Sequence, residues 1–251
     1  MRVIRVCAVF LMAAGALRGQ ADQYRGEWWD MIRLFDNGVT ELDLKRVEKH
    51  AEWVREYLGR TWYWFMLPYG RHYDAPITVD GGRLRYSNLS WKCGDGKVAV
   101  LDNAYYCPAS NSITYDGFFL AGLSKKIGLL NDSPGDFAAI ASLAHESGHA
   151  LQYQLGIRSG YVFPNEQNAD CFAGAMTYQL RLAGLLHPTD VAEAKAALTL
   201  LADPKRASPL ENAHGDAGQR VEAFMSGYRT GADGCTPLKP ATLPWLPPRQ
   251  K

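Results

Sequence analysis

Five residues, His145-Glu146-Ser147-Gly148-His149, constrain this chain more than any others. They stand inside a segment with clear helix signals. Ser133-Pro134-Gly135-Asp136 offers an N-cap, a proline at the first helical position and an acid in the first turn. Gly156 then follows Leu155 as a terminator. The spacing predicts one helix ending at Leu155. On it, positions i and i+4 share a face, so both imidazoles can reach a single tetrahedral zinc at about 2.0–2.1 Å. Glu146 is rotated by about 100°, beside such an ion and not on it, where a general base for an activated water belongs. A random chain with six His and ten Glu in 251 residues would carry this pattern about 0.006 times, so chance is a weak account of it.

A hydrolytic zinc needs a third protein ligand and an open position for water. Glu166, seventeen residues beyond His149, opens the next expected helix, and Asp170 lies one turn further on the same face. Glu166 is read as the ligand, with Asp170 accepting the remaining N–H of a ligand imidazole and so fixing its tautomer. The reverse assignment stays open, because either carboxylate can bind zinc.

Around this element the chain reads as one α+β domain with a helical majority. Leu44, Val47, Ala51, Val54 and Leu58 recur at helical spacing behind a Thr40-x-x-Asp43 capping box, predicting a long helix over about 41–65. Val98–Leu101, Ala104–Tyr106 and Ile113–Tyr115 read as short strands of a small sheet. Helices are expected near 117–128, 165–185, 188–202 and 216–229, the last capped by Asp216-x-x-Gln219. Residues 237–251, with Pro237, Pro240, Pro244, Pro247 and Pro248, read as an extended tail.

The N-terminus reads as a signal peptide. Arg2 and Arg5 precede a twelve-residue apolar run from Val6 to Leu17, shorter than the about 20 residues a bilayer span requires. Cleavage is expected after Ala21, leaving 230 of the 251 residues; loss of Arg2, Arg5 and Arg18 moves the net charge from +1 to −2. An uncleaved anchor helix is the alternative. No later segment is apolar enough to span a membrane, and no basic stripe or charge block points to nucleic acid. Cys93, Cys107, Cys171 and Cys235 remain after Cys7 leaves with the signal. An even number in an exported chain reads as two disulfides. Three pairings are open; the Gly-, Asp- and Asn-rich segment between Cys93 and Cys107 makes their local pairing the simplest. A four-Cys zinc site lacks any C-x-x-C pair.

The stretches Ala144-HESGHALQ and NEQNADCFAG resemble the bacterial putative neutral zinc metallopeptidase family, with its H-E-x-G-H-x-x-Q and E-x-x-A-D-C-F-A-G motifs. Cys93-Gly94, Tyr105-Tyr106-Cys107-Pro108 and Ile113-Thr-Tyr-Asp116 are similar to further family segments, as are His214-Gly215, Gln219-Arg220, Gly227 and Cys235. The likeness covers about 90–236 well and the long first helix loosely. It departs at Ser147, where the family tends to carry a bulkier residue, at Ala213 and at Ser110.

The resemblance implies a zincin-like fold over 22–236, with a helical part at 22–89 and a catalytic part at 90–236. It implies one zinc per chain on His145, His149 and Glu166, Glu146 as base, and bridges Cys93–Cys107 and Cys171–Cys235. The activity implied is that of a metalloendopeptidase acting on peptides or proteins in the periplasm or outside the cell. His214, just before a helix start, is the candidate second oxyanion donor, with Tyr105, Tyr106 and Tyr161 behind it. His50 and His187 read as structural. The Ala104–Cys107 strand is the expected substrate edge. A zinc-binding pseudoenzyme and an exported interaction module on the same scaffold are the rival readings.

Overall fold

The computed structural model describes residues 38–84, 92–93, 97–98, 103–203 and 214–237. The signal peptide with Cys7, and the tail beyond Pro237, lie outside the described residues.

Helix α1 (Glu41–Met66) starts as its sequence dictates: Thr40 and Asp43 form a reciprocal capping box. Its stripe Leu44, Val47, Ala51, Val54, Leu58, Trp62 and Met66 is buried. A 3-10 turn (Leu67–Tyr69) and an extended run lead to β1 (Ile77–Asp80), the one-turn α2 (Gly81–Leu84), and the short pairs β2 (Lys92–Cys93) and β3 (Lys97–Val98). Residues 99–101 of the strand expected at Val98–Leu101 lie outside the described residues. Strands β4 (Ala104–Cys107) and β5 (Ser112–Tyr115) form a hairpin, and β1 adds in parallel to β5. The sheet order is β1-β5-β4, so among the described residues β4 is an edge. Helices α3 (Gly117–Asn131), α4 (Asp136–Leu155), α5 (Val162–Leu182), α6 (Asp190–Leu200) and α7 (Ala217–Thr230) follow, then a 3-10 turn (Ala232–Cys235). The α+β class with a helical majority and a small mixed sheet is as expected.

Helix α4 is the hub. It packs on α1, α3, α5, α6 and β4, and fifteen of its twenty residues are buried. A helix covered on all sides has no polar face to keep, which is why alanine and leucine surround the His-Glu-Ser-Gly-His run. Its N-terminus differs from the sequence reading. Ser133 is not the N-cap: its N–H closes the end of α3 on the Gly128 carbonyl, behind Asp132 in the left-handed region. Gly135 takes the cap position without a side-chain bond, and Glu193 of α6 reaches in to accept from the Phe137 N–H at 2.9 Å. The C-terminal lock of α3 thus takes the serine, and a distant carboxylate does the capping.

Helix α5 begins at Val162, three residues earlier than expected, because Pro164 fits a first turn that needs no N–H donor. Glu166 therefore sits one turn inside the helix. Helices α5 and α7 pack closely, crossing at two glycines. A Cβ on Gly174 would lie 1.8 Å from the Phe224 carbonyl oxygen, and one on Gly227 would lie 1.8 Å from that of Cys171. Only hydrogen fits at either position.

Candidate metal centre

Helices α4 and α5 approach at Gly148, between the two histidines. A Cβ there would meet the Ala169 backbone at 3.0 Å, so glycine lets the α5 backbone come close enough for Glu166 to face both imidazoles. Glu166 Oε2 lies 3.1 Å from His145 Nε2, and Oε1 lies 3.3 Å from His149 Nε2. The rings stand nearly perpendicular. The potential ligand atoms of His145, His149 and Glu166 all lie within 4.8 Å of one another.

Each imidazole is held by its other nitrogen. Asp170 Oδ1 is 2.7 Å from His145 Nδ1, and this carboxylate, fully buried, is gripped by Arg220 through Nε to Oδ2 and Nη2 to Oδ1, both at 2.9 Å. Arg220 Nη1 donates to the Leu201 carbonyl at 3.1 Å. A carboxylate only accepts, so His145 Nδ1 carries a proton and Nε2 is the nitrogen left for a ligand. Gln152 Oε1 lies 3.1 Å from His149 Nδ1, while the Gln152 amide nitrogen donates to the Asn165 carbonyl at 2.6 Å and to Asn168 Oδ1 at 3.0 Å. That leaves the Gln152 oxygen to accept from His149, again freeing Nε2. Two imidazole nitrogens and a carboxylate, converging with their outer hydrogen bonds satisfied, are a donor set that fits zinc.

The charges are strongly coupled. Burial disfavours a charge on His145, but Asp170 and Glu166 outweigh it and push its pKa up to about 10. Burial would raise Glu166 and Asp170; hydrogen bonds and charge from the histidines, and from Arg220 for Asp170, hold both below the ordinary carboxylate range instead. Without an ion, His145 is an imidazolium between two carboxylates. Its Nε2 proton, facing Glu166, is the one a cation would displace, since the Nδ1 proton belongs to Asp170.

Glu146 is buried beside the triad. Burial raises its pKa, the neighbouring histidines pull the other way, and the Tyr106 backbone N–H donates to it. His214 comes to the edge of the site, half-exposed, with Nε2 3.9 Å from Glu166 Oε2. Asp203 holds it: Oδ2 accepts from the backbone N–H groups of His214 at 2.5 Å and Gly215 at 3.1 Å. Tyr105 and Tyr161 make no hydrogen bond to the triad among the described residues. His50 pairs with Asp136 at 3.7 Å, and His187 makes a local contact to Thr189 at 3.0 Å. Ser147 meets the buried Tyr73 hydroxyl at 2.9 Å, an aromatic ring from outside α4 filling space beside the small serine. Both disulfides are present, Cys93–Cys107 and Cys171–Cys235.

Gln152, Arg220, Asn168 and Asp203 were not singled out as supports in the sequence reading. Gln152 and Arg220 had a signal, as parts of H-x-x-Q and Q-R stretches already noted. Asn168 and Asp203 had none, because each acts on a group far along the chain.

The profile of the family described as "Putative neutral zinc metallopeptidase" matches residues 41–236. "Uncharacterized protein YpfJ" of Escherichia coli strain K12 is 30% identical over 194 residues, covering 68% of this chain and 64% of its own length. "Uncharacterized protein Mb2605" of Mycobacterium bovis and "Uncharacterized protein Rv2575" of Mycobacterium tuberculosis are each 30% identical over 176 residues, 59% of this chain and 58% of theirs. The chain spans less than two thirds of the length of these relatives. No solved structure matches it.

Proposed function

Because this chain belongs to the putative neutral zinc metallopeptidase family, we propose that it is an exported zinc-dependent endopeptidase holding one ion on His145, His149 and Glu166. The observation that carries the reading is the convergence of those three donors within 4.8 Å, with a buried glutamate next to the first of them.

Bound zinc would supply a Lewis acid for a peptide carbonyl and lower the pKa of an adjacent water toward about 7. The chain's own residues do the rest. Glu146 takes the water proton as the oxygen attacks, and burial strengthens it as a base by raising its affinity for that proton. It then returns the proton to the leaving amine. His214 donates to the carbonyl oxygen as charge builds there, and Asp203 steadies its backbone. Substrate adds along β4, the sheet edge whose Tyr106 N–H faces Glu146.

Two disulfides support a location in an oxidising compartment, and no helix among the described residues is long and apolar enough to cross a membrane. Fractionation of cells expressing the chain with and without residues 1–21 tests export. For activity, bound zinc and cleavage of a mixed peptide library are measured for wild type and Glu146→Gln. The expected result is equal zinc and a loss of cleavage of about 10²- to 10⁴-fold. Retained cleavage in the variant would sink the base assignment. Full zinc with no cleavage in either protein would favour a zinc-binding protein without catalysis.

A further inference from the structure

The two imidazoles are oriented by supports of different kinds. His145 leans on a charge, Asp170. His149 leans on a string of neutral amides whose polarity is set far from the ion site. The string begins at the Cys235 carbonyl, an oxygen that can only accept. Asn168 therefore presents its Nδ2 there, at 2.5 Å, and turns its Oδ1 toward Gln152. Gln152 must answer with its amide nitrogen, which also meets the Asn165 carbonyl at 2.6 Å. Its oxygen is then left for His149 Nδ1 at 3.1 Å. Every link is a donor facing an acceptor, and reversing any one of them would set two like groups against each other.

We infer that Asn168 is a positioning residue for His149: through Gln152 it fixes which imidazole nitrogen is free for a metal, and it is anchored on a carbonyl that the Cys171–Cys235 bridge holds against α5. Cys171 stands three residues beyond Asn168 on the same helix, so the bridge and the amide share one turn. The disulfide thereby reaches the site through three hydrogen bonds without touching it. This inference rests on the reading of His145, His149 and Glu166 as zinc ligands.

The test uses the full chain with both disulfides formed. Zinc affinity is measured by competition with a chromophoric chelator for wild type, Asn168→Ala, Gln152→Ala and the double variant. Gln152→Ala should weaken zinc binding about 10- to 100-fold, and Asn168→Ala about three- to tenfold. The double variant should bind no more weakly than Gln152→Ala alone, because Asn168 has nothing left to act through. Wild-type affinity in Asn168→Ala would overturn the inference, as would losses that multiply in the double variant. In the metal-free protein, nitrogen-15 spectra of the imidazoles give a second readout. The Nδ1 proton of His149 should exchange faster with solvent in Asn168→Ala, while that of His145, held by Asp170, should not change. Equal acceleration at both would mean general loosening and would also overturn it. Should the alanine variant not fold, Asn168→Leu keeps the volume and carries the same measurements. If the wild type binds no zinc, the proposed function fails, while the metal-free comparison still decides the role of Asn168.

Discussion

The imidazolium at His145 makes metal affinity depend on pH in a way that can be worked out beforehand. With its pKa pushed up to about 10, zinc entering at any lower pH must displace one proton from Nε2. Each pH unit below that value costs about 1.4 kcal/mol, a factor of about ten in affinity. At pH 7.5 the wild type should therefore bind about 300-fold more weakly than its high-pH limit. The slope of log affinity against pH should hold near one from about pH 7 to 9. Asp170→Asn removes the largest raising influence on His145, so the variant should flatten soon after neutrality. Its plateau should sit about 10- to 100-fold lower, since the imidazole loses an anionic partner and becomes a poorer ligand. The two curves should then cross between about pH 8 and 9, with the variant binding more tightly below the crossing and the wild type above it. Chelator competition in a buffer series reads the affinities, and calorimetry in two buffers of different ionisation enthalpy counts the proton released. A wild-type curve already flat at pH 7.5, or a variant that keeps the unit slope, would refute the description of His145 as a proton held between two carboxylates.

Glu166→Gln should lower zinc affinity at least about tenfold in the same assay; unchanged affinity would move the third ligand elsewhere. Thermal melts of the metal-free protein should be highest between about pH 4.5 and 6.5. The contribution from His145, raised on folding, is complete below its ordinary 6.5 and is lost as pH climbs through about 10. The contributions from Glu166 and Asp170, depressed on folding, are complete above their ordinary 4.5 and 3.8 and are lost as pH falls. Stability that rises steadily from pH 6 to 9 would contradict this sign. Gly174→Ala should destabilise the fold by about 3 kcal/mol or more in chemical denaturation, because the added methyl group would overlap the Phe224 carbonyl and neither helix can yield without the other. A change under about 1 kcal/mol would show that the crossing can relax.

Local patterns carried far in this chain. The stripe from Leu44 to Leu58, the Thr40 and Asp216 capping boxes, and the His-Glu-Ser-Gly-His run were legible because each is written within a single helix and its cap. Reading failed where a residue had two local uses and a distant contact decided between them. Ser133 suits an N-cap, yet the end of α3 takes its N–H, and Glu193 supplies a cap from 56 residues away. Pro164 could have marked a boundary or a first turn, and tertiary packing chose the first turn. At the site, the residues with ligand chemistry were visible as types at set spacings. Their supports were not: Asn168 is an ordinary helical amide until the Cys235 carbonyl arrives beside it.

The glycine crossing of α5 and α7 has a consequence for how such a site withstands sequence drift. Asp170 lies one turn before Gly174, and Arg220 two turns before Gly227, so the ion pair behind His145 is measured from a contact between two main chains. Main-chain atoms are the same in every sequence. Bulky side chains elsewhere in the core can be exchanged and repacked while the distance from Arg220 to Asp170 stays referenced to a fixed datum, much as a machine part is located by a dowel and not by the fit of its casing. Substitutions at those two glycines should then be the costliest apolar changes for metal affinity, although neither glycine has a side chain to offer the metal.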